Sequence, residues 1–347
     1  MQRDADSALS EDACRHIEAI KEADILVGIP SYNNVLTASF VISQVVKGLV
    51  TYFPDYRSVI FVSDGNSVDG TLASVKTVNL PTKLELIPAI YMGISGKGTA
   101  IKAIFEAAKY LNVKAVALVD SDLRSITPEW MKLLISPTLS GTGLVVPFYN
   151  RRKYDGTITN FLCYPVTASL YGKDLRQPIG GDFGLSIDLV KELLASEMWN
   201  LPAVHSFGID IFETHTALAK GFEVKQAFLG IKDHDQKDPT KHLAPMFRQV
   251  VGTMFTCAEQ YEAVWQQASG VSEVDMVGEE VHVNLQNPVP IDLQNMMKVY
   301  KESFGAYLPV YEKLLSAEAL LEFEQLKDLA NSAVSFSMET WAKTVYI

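Results

Sequence analysis

Apolar runs of six or seven residues recur along the first half of the chain, and each is followed by a stretch with a different period. Residues 25–30, 57–62, 84–90 and 114–119 have few polar positions and many β-branched ones, the pattern of strands buried on both faces. Residues 35–53 and 99–111 instead carry apolar side chains at helical spacing, and Asp69 stands where it would cap a helix opening at Thr71. Strand and helix alternate four times across short connections, which predicts an α/β fold with a parallel, doubly wound sheet. The second half continues with a helix near Pro128, a strand at 143–148, helices near 161–171, 187–196 and 209–220, and a strand at 224–229. From Leu243 the pattern is helical apart from an irregular stretch at 272–290. The expected division is a lead-in over 1–22, the α/β domain over 23–265 and a helical C-terminal appendage over 266–347.

The strand at 114–119 runs into Asp120-Ser121-Asp122, two acids one residue apart. In open α/β sheets ligands bind outside the carboxyl ends of the strands, so these acids stand where chemistry is expected. Two close carboxylates repel unless a cation or a donor lies between them, and hard cations such as Mg²⁺ share carboxylate oxygens with nucleotide phosphates. The plainer alternative is that Asp122 caps the next helix and Asp120 is an ordinary strand-end acid.

Composition narrows the class. The 347 residues are 48% hydrophobic and 20% charged, an ordinary globular balance, and the net charge of −11 argues against nucleic acid as the main partner. Cys14, Cys163 and Cys257 are few and far apart, which supports neither a disulfide framework nor a thiolate zinc site and points to a reducing cytoplasm. The N-terminus lacks an apolar signal core. The longest apolar run, 35–53, is broken by Thr37, Ser39, Ser43, Gln44 and Lys47, so an amphipathic helix is expected and no membrane span.

Gly96-Lys97-Gly98 at a helix start would suit phosphate, but the Walker spacing is absent. The first strand does not end in GxGxxG, which disfavours a dinucleotide. Its loop, Pro30-Ser31-Tyr32-Asn33-Asn34, also lacks the basic, glycine-rich character of a sugar-1-phosphate nucleotidyltransferase.

The blocks IPSYNN (29–34), VSDGNSVDGT (62–71), GKGTA (96–100) and VDSD (119–122) resemble, in order, the nucleotide-binding half of GT-A fold, family 2-like glycosyltransferases. Asn34 and Ser63 stand where that family commonly has acids. Phe148-Tyr149-Asn150-Arg151-Arg152, Gly156-Thr157-Ile158-Thr159-Asn160, Arg176 through Asp182, Gly208-Ile209-Asp210-Ile211 and His234 resemble a smaller group. These are the retaining synthases of mannosylglycerate, glucosylglycerate and glucosyl-3-phosphoglycerate. The likeness covers roughly 24–246.

The resemblance implies a Rossmann-like, mostly parallel sheet and a hexosyltransferase that moves glucose or mannose from a UDP- or GDP-sugar to glycerate or 3-phosphoglycerate with retention. It implies Asp122 and His234 as ligands of Mg²⁺ or Mn²⁺, although His234 alone reads as a solvated surface residue. Pro30, Tyr32, Asn34, Asp64, Lys97, Asp120 and Ser121 would line the nucleotide sugar, with Tyr32 equally a packing aromatic. Arg152, Gly156, Thr157, Thr159, Asn160, Gly181 and Asp210 would meet the acceptor. Asp182 would touch the sugar or acceptor, and is the one candidate nucleophile for a double displacement; otherwise it caps the next helix. The alternative mechanism is same-face attack, with the leaving phosphate taking the acceptor's proton. Asp210 and Glu213, three apart on a helix, would orient sugar hydroxyls or point to solvent.

The phosphoglycerate-using relatives have an arginine where Thr157 stands, so unphosphorylated glycerate is the expected acceptor. Residues 232–243 are expected to form a mobile lid, and the C-terminal helices would serve for a homodimer. A sugar-nucleotide-binding regulatory protein without catalysis is the other class of function.

Overall fold

The computed structural model describes residues 6–152, 155–234, 239–279, 292–328 and 337–345. Helix α1 (Glu11–Ile20) leads into the expected alternation: β1 (Ile25–Ser31), α2 (Ala38–Tyr52), β2 (Ser58–Asp64), α3 (Thr71–Val75), β3 (Leu84–Ile90), α4 (Lys97–Tyr110), β4 (Ala115–Leu118) and α5 (Glu129–Leu139). Then come β5 (Leu144–Asn150), a π-helical turn at Thr159–Cys163 running into α6 (Tyr164–Tyr171), β6 (Lys173–Asp174), β7 (Phe183–Ser186), α7 (Ile187–Leu194), α8 (Ile209–Ala219) and β8 (Val224–Ile231). The chain continues with α9 (Pro239–Gln260), α10 (Glu262–Trp265), β9 (Ser272–Glu273), β10 (Met276–Val277), α11 (Leu293–Leu314), α12 (Ala317–Asp328) and α13 (Met338–Val345).

One eight-stranded sheet has the order β10-β8-β5-β7-β4-β1-β2-β3. Neighbours pair in parallel except at β7, which is antiparallel to both β4 and β5. Every residue of β1 and β2 is buried, as continuous apolar runs require when helices cover both faces. Alternate residues serve the two sides. Ile25, Val27 and Ile29 join α2 and α5 through Val41, Ile42, Trp130 and Leu134. Leu26 joins the opposite layer with Ile17, Ile101, Phe105, Leu189 and Phe212, from α1, α4, α7 and α8. Register aligns Ser31 with Asp64 and Asp64 with Ile90, and the Val119 amide donates to the Gly28 carbonyl (3.1 Å), so Asp120 leaves β4 at the carboxyl edge of the sheet.

The described structure departs from the expected layout in several places. The segment 7–20 contributes Ala8, Leu9, Ala13 and Ile17 to the core, and Glu106 accepts from the Ser7 hydroxyl (2.7 Å) and the Ala8 amide (3.0 Å). Strand β7 has only four residues, Phe-Gly-Leu-Ser, and owes its conformation to lying between β4 and β5 rather than to its own pattern. The sheet also takes residues as late as Val277, beyond the expected division at 265, because β10 pairs with β8.

Helix α9 starts at Pro239, inside the expected lid, whose residues 235–238 lie outside the described residues. Among the described residues no helix is long and apolar enough to cross a membrane, and the three cysteines are free. The chain divides into two compact units, Met1–Arg151 with Gly156–Leu285, and Arg152–Asp155 with Gln286–Ile347. Within the second, Tyr300 donates to the Phe323 carbonyl (2.7 Å) and the Tyr311 and Phe323 rings lie 5.2 Å apart, tying α11 to α12.

Candidate active site

Short polar side chains join the loops at the sheet's carboxyl edge. Asn34 Oδ1 accepts from the Ser121 hydroxyl (2.7 Å) and the Tyr32 amide (3.2 Å), while Thr37 donates to the Ser121 carbonyl (2.8 Å). The first and fourth motif blocks, far apart in sequence, are thus one surface. Tyr32 is 61% exposed beside Gly65, where a Cβ would come within 3.0 Å of its ring, so a flat aromatic face is open to ligand there. Pro30 is buried within β1. Asp64 is fully buried, and its oxygens accept from the Ser67 amide and hydroxyl (2.7 Å each), closing its own turn.

The glycines of the GKG block have a packing cause. A Cβ at Gly98 would stand 1.8 Å from the Val204 carbonyl, and one at Gly96 would stand 2.3 Å from that of His205. Both let α4 begin against that backbone, and Lys97, at the first turn, points inward. Its ammonium is 3.0 Å from Asp120 and 3.3 Å from Asp210.

A second lysine completes a buried charge cluster. Lys232, directly after β8, has a side chain only 6% exposed and donates to Asp120 Oδ2 (2.8 Å), Asp182 Oδ2 (2.7 Å) and the Gly180 carbonyl (2.8 Å). Asp182 is fully buried; its Oδ1 accepts from the Asp120 amide (2.8 Å) and its Oδ2 also from the Tyr149 hydroxyl. Gly181 has φ +85°, and a Cβ there would fall 2.8 Å from Asp120 Oδ2, so only glycine fits by backbone and by space.

Burial opposes the charge on Asp120, but Lys232 and Lys97 outweigh it and hold the carboxyl far below its ordinary range. Burial likewise pulls both lysines down, and the surrounding carboxylates carry each above its usual value. Tyr149 stays protonated, because burial and Asp182 push its phenol well up.

On α8, Asp210 and Glu213 are both buried, not solvent-facing. Asp210 reaches the cluster through Lys97, although burial raises its carboxyl. Neither oxygen of fully buried Glu213 has a hydrogen-bond partner, and burial followed by repulsion from Asp210 pushes its carboxyl well above the ordinary range.

The 156–160 segment starts the π-helical turn, with the Asn160 amide donating to the Gly156 carbonyl (2.9 Å). Thr159 is buried and Thr157 half-buried. Arg151 lies along it: its Cδ and Nε are 3.8 Å from where a Gly156 Cβ would be, and its guanidinium covers the Tyr149 ring at 5.3 Å. Arg152, the arginine expected at the acceptor, is half-buried and belongs to the second compact unit.

An isolated antiparallel bridge pairs Leu123 with His234, and the Arg124 amide donates to the Asp233 carbonyl (2.8 Å). The backbone of His234 is therefore set against the residue next to Asp122, although 111 positions separate Leu123 from its partner (234 − 123). A carboxylate and an imidazole suit a divalent ion that draws its remaining ligands from phosphate and water. Among the described residues no group of three or more His, Cys, Asp or Glu is arranged to hold a metal.

Sequence reasoning missed Lys232 and Tyr149 as members of the site. Lys232 sits in a charged stretch that reads as a solvated loop; its position just past the end of a parallel strand was the available signal. Tyr149 looks like one more apolar residue of β5.

The architecture is the GT-A fold of nucleotide-sugar glycosyltransferases, and the carboxylate–lysine cluster sits at its carboxyl edge. The chain is a relative of glucosyl-3-phosphoglycerate synthases. It is 27% identical over 265 residues to that enzyme from Mycobacterium tuberculosis, covering 69% of this chain and 75% of the relative. A crystal structure of the M. tuberculosis enzyme with Mn²⁺, UDP and phosphoglyceric acid matches at 25% identity and a TM-score of 0.53, over 70% of this chain and 81% of that one. Another, with Mg²⁺ and UDP, shares the fold at 23% identity and a TM-score of 0.54, over 73% and 85%. No family model matches the chain.

Proposed function

We propose that the protein is a metal-dependent hexosyltransferase that moves a sugar from a nucleotide diphosphate to a glycerate-type acid with retention of configuration. The observation that carries this reading is the meeting of the Asp120–Asp122 turn with Lys97, Lys232 and the His234 backbone at the sheet's carboxyl edge. Asp122 and His234 would hold Mg²⁺ or Mn²⁺, which supplies a counter-charge for the leaving diphosphate when bound. Tyr32 and Asn34 would receive the base, and Asp120, Ser121 and Lys97 the rest of the donor. The relatives' complexes make UDP-glucose the donor to test first. Free cysteines fit a cytoplasmic protein.

For the chemical step, Asp182 serves as an anchor. Its two oxygens are engaged by an amide, a phenol and an ammonium, and the residue is fully buried, which supports same-face attack over a covalent sugar on Asp182. In that course the acceptor hydroxyl gives its proton to the departing phosphate oxygen. Thr157 brings no cation to the acceptor, so glycerate is favoured over 3-phosphoglycerate, and Arg151 would meet the carboxylate.

The test is a donor-by-acceptor screen: UDP- and GDP-glucose and -mannose against D-glycerate and 3-phosphoglycerate, each with Mg²⁺, Mn²⁺ or chelator. Metal-dependent transfer to glycerate is expected. Tight binding of the sugar nucleotide with no transfer to either acid would favour a regulatory protein instead.

A further inference from the structure

Helix α4 begins on Gly96, which has no side chain to cap it, so its first turn takes partners from elsewhere in the chain. The Gly96 amide donates to the Tyr91 hydroxyl (2.9 Å), and the Thr99 amide donates to the His205 carbonyl (3.1 Å). Two of the amides that would suit a phosphate are therefore already taken, and α4 serves the site through the Lys97 ammonium.

His205 holds Thr99 twice. Besides the carbonyl contact, its ring Nδ1 lies 3.0 Å from the Thr99 hydroxyl, and its Nε2 lies 2.8 Å from the Trp199 carbonyl. A carbonyl can only accept, so the ring proton belongs on Nε2, and in the neutral ring Nδ1 accepts from Thr99. Trp199 is fixed in turn: its Nε1 donates to the Leu193 carbonyl in α7 (2.8 Å), and its ring lies 5.5 Å from that of His205. Soon after His205 the chain enters α8, whose second residue is Asp210. One imidazole thus joins the first turn of α4, which carries Lys97, to the segment that opens the first turn of α8, which carries Asp210. The Lys97 side chain is 16% exposed and wedged between Asp120 and Asp210, so it follows the helix that bears it.

We propose that His205 is a positioning residue for the donor: by holding Thr99 it sets the start of α4, and so the place where the Lys97 ammonium meets the nucleotide sugar. The proposal rests on the reading of Lys97 as a donor-binding residue.

Titration calorimetry of UDP-glucose with Mg²⁺ tests it in four proteins: wild type, His205→Phe, Lys97→Met and the double variant. His205→Phe keeps a flat ring and removes both nitrogens. Its Kd should rise about tenfold, the effect of roughly one lost hydrogen bond, and should change no further once Lys97→Met is present. A side chain that only supports the fold would weaken binding by the same factor in both backgrounds. That outcome, or a His205→Phe Kd within about twofold of wild type, overturns the proposal. Thr99→Val removes the hydroxyl and little else, and decides the question if either of the other variants does not fold. It should raise Kd by about the same factor and keep the D-glycerate KM within about twofold. An unchanged Kd in Thr99→Val, or a glycerate KM that rises in step with it, overturns the proposal. Lys97→Met binding UDP-glucose as tightly as wild type removes the donor reading of Lys97 first, whereas weak binding by Lys97→Met beside an unchanged or additive His205→Phe removes the proposal alone.

Discussion

Replacing Lys232 by methionine removes the ammonium that three oxygens surround at 2.7–2.8 Å. At 2.7 Å and an effective dielectric constant of about 20, the gross attraction to one carboxylate is about 6 kcal/mol, much of it offset by the desolvation already incurred. Removing one partner of a buried pair costs about 3–5 kcal/mol. Here the lower end applies, because Asp120 keeps Lys97 and Asp182 keeps the Tyr149 hydroxyl and the Asp120 amide. The expected loss is therefore ~3 kcal/mol. Asp182→Asn in the Lys232→Met background should cost much less than in wild type, with a coupling of about 1.5–3 kcal/mol.

The pH range follows from the signs of the shifts. Lys232 is raised, so its contribution is present below the unfolded lysine value of about 10.4 and fades as pH rises through the folded value. Asp120 is depressed, so its contribution is present above about 3.9 and fades as pH falls through the folded value. Between about pH 5 and 9 the deficit should be flat. The assay is equilibrium urea unfolding of the four proteins of the cycle at pH 5, 7 and 9. A Lys232→Met midpoint equal to wild type, or a coupling near zero, would refute the reasoning that this ammonium holds the two acids together.

Three further outcomes are expected. Asp122→Ala and His234→Ala should each lower kcat/KM by several kcal/mol of transition-state stabilisation, as should chelator on wild type; full activity of either variant in chelator would remove both as ligands. His215 is fully buried, bonded to the Thr167 hydroxyl (2.9 Å), and depressed by burial to about 3. Below pH 6.5 the unfolded chain takes up a proton that the folded one refuses, so stability should fall by about 1.4 kcal/mol per pH unit from that residue, and His215→Gln should remove that slope in urea unfolding between pH 6.5 and 5. Thr157→Arg should shift the ratio of kcat/KM towards 3-phosphoglycerate by about 1.5–3 kcal/mol, whereas a wild type that already prefers 3-phosphoglycerate would show that Thr157 does not decide the acceptor.

The strands from 25 to 119, the helices between them and the placing of Asp120 and Asp122 at a strand end were all legible in the sequence. Buried parallel strands announce themselves as unbroken apolar runs, and helices by a different period. Local turn chemistry was legible in part: Asp69 accepts from the Thr71 amide (3.0 Å) just ahead of α3, but Gly70 and not Asp69 takes the N-cap position. What the tertiary structure alone decided is everything that depends on distant partners. The strand β7 exists because β4 and β5 flank it, and no local pattern in four residues could say so. Lys232 and Asp120, 112 residues apart, become an ion pair through the sheet order that sets β8 and β4 on either side of β5 and β7. A lysine in a charged stretch carries no mark of burial. Burial is a property of what surrounds a side chain, and those surroundings are assembled from the whole chain at once.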